Sequence, residues 1–150
     1  MTLQALLAYI HYVSIISLIS TLVLELVIFE KVLSGKEIRK LQRIDRLYGL
    51  ASIMVIATGT LRIMLYGKGW GYYLDSYFFI TKLSLFLALG LLSIYPTLLI
   101  LKWRKLPDSI ESLVLEDSQY KKILAIIRLE VIIVFLIPLF AALMARGLGF

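Results

Sequence analysis

Residues 123–145 read ILAIIRLEVIIVFLIPLFAALMA, and only Arg128 and Glu130 among them carry charge. As a helix rising 1.5 Å per residue, the run reaches about 35 Å. That covers the roughly 30 Å hydrocarbon core of a bilayer. A helix at a soluble surface keeps a polar face, whereas this one is apolar all round and needs apolar surroundings. A transmembrane β-strand would be shorter and would alternate apolar with polar residues, which this run does not do.

Three more stretches have the same character: residues 3–29, 47–66 and 77–101. The expected fold is therefore all-α. It is a single domain over 1–150, a polytopic membrane protein built as a four-transmembrane-helix bundle. The first stretch lacks a basic leader and a small-residue cleavage site, so it is expected to remain as a membrane helix. Composition agrees: of 150 residues, 61% are hydrophobic, against roughly 45–50% in soluble domains. Mean hydropathy is +0.92.

Cysteine is absent, which excludes disulfides and thiolate chemistry, and the one histidine, His11, cannot form a histidine metal cluster within one chain. The net charge of +6 lies beside apolar spans, so it points to a membrane surface and not to nucleic acid. Lys31, Lys36, Arg39, Lys40, Arg43 and Arg46 sit between spans one and two, and Lys102, Arg104, Lys105, Lys121 and Lys122 between spans three and four. Only Lys68 and Arg146 lie at the other ends of the spans. This bias predicts cytoplasmic basic loops, extracytoplasmic termini and a location in the plasma (inner) membrane. The basic loops are expected to meet anionic lipid.

Ser34-Gly-Lys-Glu37 fits a capping box, so helix two is expected to begin there and run unbroken into the membrane. Ile38, Leu41 and Ile44 make its first turns amphipathic and suited to lying near headgroups. Residues 108–117 read as a short surface helix bearing Ile110, Leu113 and Val114.

Charges within the spans carry the functional signal, because ionisable residues are costly in hydrocarbon. Counting from Tyr66 and Tyr77, Arg62 lies about 6 Å and Lys82 about 7–8 Å below the aromatic turn, while His11 is about 10 Å deep from the same side. The near acid is Asp75, in the turn. Two cations with one imidazole either snorkel to headgroups or surround an anionic ligand. Haem b or another porphyrin suits the second case: imidazole ligates iron and the cations hold propionates. Met64 and Met144 are candidate second axial ligands, although Met64 points to a different face from Arg62. Nearer the basic loops, Glu25 and Arg128 are at matching depth and form an expected intramembrane ion pair, with Glu130 beside them. No catalytic residue, resident metal or phosphate loop is identified. Gly67-Lys-Gly69 lacks the residues that complete a phosphate loop.

Several motifs carry a resemblance to a family of small prokaryotic four-span membrane proteins of unknown function: Tyr9-Ile-His11, Arg43-Ile-Asp-Arg-Leu-Tyr-Gly49, Tyr66-Gly-Lys-Gly69, Phe79-Ile-Thr-Lys82, Ser93-Ile-Tyr-Pro-Thr97 and Ala142-Leu-Met-Ala-Arg-Gly147. More distantly, the chain is similar to HemJ-type and CopD-type membrane proteins. The HemJ likeness places a functional histidine at His11 and a lysine at Lys82, and it implies tetrapyrrole binding with redox chemistry. The alternatives are an oligomeric transporter or channel for a small anion or metabolite, and a non-catalytic membrane subunit or assembly factor.

Overall fold

The computed structural model describes residues 2–106 and 110–147. It is all-α apart from one two-stranded sheet, with α1 at Leu3–Ile28, β1 at Val32–Ser34, α2 at Gly35–Tyr66, α3 at Trp70–Leu74, α4 at Tyr77–Lys102, β2 at Ser112–Val114 and α5 at Asp117–Ala145. A 3-10 turn, Trp103–Lys105, follows α4. α1, α2, α4 and α5 are each long and apolar enough to cross a membrane.

Local signals explain where the helices begin. The Thr2 side chain accepts from the Ala5 N–H at the start of α1. The expected capping box forms at α2: Glu37 N–H donates to Ser34 Oγ at 3.3 Å, and Ser34 N–H donates to Glu37 Oε2 at 2.7 Å. From that cap the helix continues without a break to Tyr66. Pro96 and Pro138 lie inside α4 and α5.

The long helices pack in the order α2, α1, α5, α4, and α2 and α4 touch only sparsely. Ile16, Ile53, Leu87, Leu91, Ile132 and Phe135 are more than half exposed, as a lipid-facing belt requires. The mostly apolar interior also holds polar side chains, with Ser14, Thr21, Glu25, Asp45, Thr58 and Glu130 all buried.

The two basic loops are joined. β1 pairs antiparallel with β2, Val32 opposite Val114 and Ser34 opposite Ser112. The pairing extends through Leu115 N–H to the Lys31 carbonyl, 2.9 Å, and through a Lys31–Asp117 ion pair at 2.5 Å. Under this sheet Phe29, Leu33, Ile38, Leu41, Ile100, Trp103, Leu115, Ile123 and Ile127 form one apolar cluster. Gly35 permits the approach, because a Cβ there would lie 2.7 Å from the Ile110 carbonyl oxygen.

Two expectations need correction. Ile38, Leu41 and Ile44 do not meet headgroups but are buried in the protein, at 3%, 0% and 9% exposure. The cluster under the joined loops covers Ile38 and Leu41. Ser112–Val114 is a strand and not part of a surface helix, since β1 offers an unpaired edge to bond it. The Asp108 end of that expected helix lies outside the described residues.

Candidate functional site

Near the aromatic-turn end, α1 and α2 fix His11. The Thr58 hydroxyl donates its one proton to the Met54 carbonyl, 2.5 Å away. Toward His11 Nδ1, at 2.8 Å, the same oxygen can only accept. Nδ1 therefore carries the imidazole hydrogen, and Nε2 keeps its lone pair. The ring also hydrogen-bonds the Val55 backbone. The ring brings its Cε1–Nδ1 edge close to α2, so that a Cβ on Gly59 would come within 3.2 Å of His11 Cε1. A neutral imidazole held at Nδ1, with its lone pair on Nε2, is the form that ligates a metal ion or accepts a proton.

Arg62 and Lys82 complete the group. Both are half-buried and both lie within electrostatic reach of His11. Arg62 leans on α1, with Cζ 5.5 Å from the Tyr12 ring centroid, and Lys82 Nζ lies 4.8 Å from the Phe79 ring centroid. Neither cation is ion-paired among the described residues, and the exposed Asp75 is not paired either. The structure thus brings His11, Arg62 and Lys82 from three helices into one neighbourhood, an electropositive, partly desolvated cluster suited to an anion with a metal-ligating centre. Met64 is 64% exposed and faces away from the bundle, whereas Met144 is half-buried on α5.

The second set differs from expectation. Arg128 is exposed, and Glu25 and Glu130 are buried at 3% and 1% exposure, so the Glu25–Arg128 ion pair is not formed among the described residues. Helical phase explains this. The buried stripe of α5 runs through Ile123, Ile127, Glu130 and Val134, and Arg128 stands about 130° from its centre. Asp45 of α2 joins the two glutamates: Glu25 lies within electrostatic reach of Asp45, and Glu130 within reach of both. Asp45 Oδ1 accepts from the Thr97 hydroxyl at 2.5 Å. Sequence reading missed this convergence. A usable signal was that Glu25 continues the polar series Ser14 and Thr21 along one face of α1.

In comparisons with known proteins, a family model described as "Predicted membrane protein (DUF2214)" matches residues 3–149. No curated protein and no solved structure matches the chain.

Proposed function

The chain belongs to this family of predicted membrane proteins, and from that premise we propose that it binds an anionic tetrapyrrole of the haem type at the His11, Arg62 and Lys82 site and serves membrane redox chemistry. The observation that carries the reading is the His11 ring, held through Nδ1 by Thr58 and within electrostatic reach of Arg62 and Lys82. The donor set fits the group: the imidazole would hold the iron through Nε2, and the flanking Arg62 and Lys82 would hold propionates. When bound, haem supplies one-electron chemistry at a potential set by its axial ligand and surroundings. The chain's own residues would orient the ring and neutralise the carboxylates.

The basic bias of the two loops supports a cytoplasmic position for them in a bacterial-type inner membrane, with both termini outside, and contact with anionic headgroups there.

The test uses the full chain purified in detergent and titrated with haem, read by the visible spectrum. A Soret shift that saturates near one haem per chain is expected. It should be lost in His11→Ala and weakened in Arg62→Gln with Lys82→Gln. No shift, or a shift that persists in His11→Ala, overturns the reading. Liposome uptake of a small anion that depends on Arg62 and Lys82 but not on His11 would instead favour a transporter.

A further inference from the structure

We propose that Glu25, Asp45 and Glu130 form a proton-binding site inside the bundle, and that it exchanges protons through the cleft between α2 and α4. The three carboxyl groups come from α1, α2 and α5, and all are buried. None is ion-paired among the described residues. Glu130 Oε1 is fully enclosed and has no hydrogen-bond partner. An enclosed, bare carboxylate oxygen costs several kcal/mol in a low-dielectric interior. Three like charges within mutual reach add repulsion that water cannot screen. One proton lowers both costs: it removes a charge from the enclosed site and leaves two like charges within reach in place of three.

A bound metal ion is the poorer occupant. Among the described residues no group of three His, Cys, Asp or Glu side chains converges as metal ligands would. A proton needs no such convergence.

The surroundings supply a route. α2 and α4 meet sparsely, and between them opens a cleft of about 410 Å³. Asp45, Tyr48, Ser52, Ser93 and Thr97 line it together with Ile56, Phe86, Leu89 and Ile94, so one carboxylate of the cluster and four hydroxyls border the cleft. The groups that face the cluster are Glu25 from α1, Asp45, Tyr48 and Arg46 from α2, the hydroxyls of Ser93 and Thr97 from α4, and Glu130 from α5. Arg46 is exposed and spends its Nε–H on the Gln42 carbonyl. His11 is fourteen residues from Glu25 on α1, about 20 Å along the helix, so this site stands or falls separately from the haem reading.

The experiment is infrared spectroscopy of the full chain in lipid nanodiscs, titrated in pH and repeated in heavy water. Expected is a protonated-carboxyl C=O band at neutral pH that shifts in heavy water and fades on alkalinisation. Glu130→Gln should remove at least half of its intensity. Asp45→Asn, at the cleft, is read in parallel in case the core variant does not fold, and it should lower the band too. Absence of the band from the wild-type protein at neutral pH overturns the proposal, as does a band identical in both variants. A band abolished by sodium, potassium or calcium at fixed pH also overturns it, in favour of a cation site.

Discussion

Replacing Thr58 with valine keeps the shape of the side chain and removes only the oxygen that accepts from His11 Nδ1. No cavity is made, so the effect reports the hydrogen bond. Leaving a buried donor without its partner costs about 1–3 kcal/mol. The Val55 carbonyl also lies near His11, which places the stability loss toward the lower end, about 1 kcal/mol. The functional loss should be larger. Removing the outer partner of a ligating histidine lowers affinity about 10–100-fold, which equals about 1.4–2.7 kcal/mol. The assay is haem titration followed at the Soret band, with thermal unfolding in the same detergent as the stability control. Thr58→Ser retains the hydroxyl and should bind within a fewfold of the wild type. If Thr58→Val binds as well as the wild type while His11→Ala does not, the Thr58 contact does not orient the ring and the argument from tautomer fails.

Three further outcomes follow from the basic-loop end. Leu41→Ala, at a fully buried position in the cluster beneath the sheet, should cost about 2–5 kcal/mol, read as a lowered Tm in detergent. Gly35→Ala would push a Cβ against the Ile110 carbonyl. It should cost about 1–3 kcal/mol and raise amide exchange at Val32–Ser34 and Ser112–Val114, measured by hydrogen–deuterium exchange. Asp117→Asn breaks the Lys31 ion pair, whose side chains are 46% and 70% exposed, so it should change stability by less than about 1 kcal/mol; a large loss in Tm would mean that the pair anchors the loop.

The sequence made the four spans legible because runs such as 123–145 leave no other medium for their side chains. The Ser34–Glu37 cap was legible because it is a local pattern, complete within four residues. The β1–β2 pairing was not, since Val32–Ser34 and Ser112–Val114 are short and far apart in the chain and neither forms a strand alone. The inward side of each span was hard to read for a related reason. Lipid makes the outer face as apolar as the inner, so hydrophobic periodicity fades. Arg128 and Glu130 then look equally placed in the sequence, although only Glu130 falls on the stripe with Ile123 and Ile127. His11, Arg62 and Lys82 could be grouped by depth alone, but the role of Thr58 depends on a contact across forty-seven positions.

The pairing of Val32–Ser34 with Ser112–Val114 also decides how the protein presents its cations. Without it, Lys31, Lys36 and Arg39 would belong to one hairpin and Arg104, Lys105 and Lys121 to another, each free to move with its own pair of helices. Stitched together, they become a single raft. The two helical hairpins beneath cannot part at that end without first tearing backbone bonds.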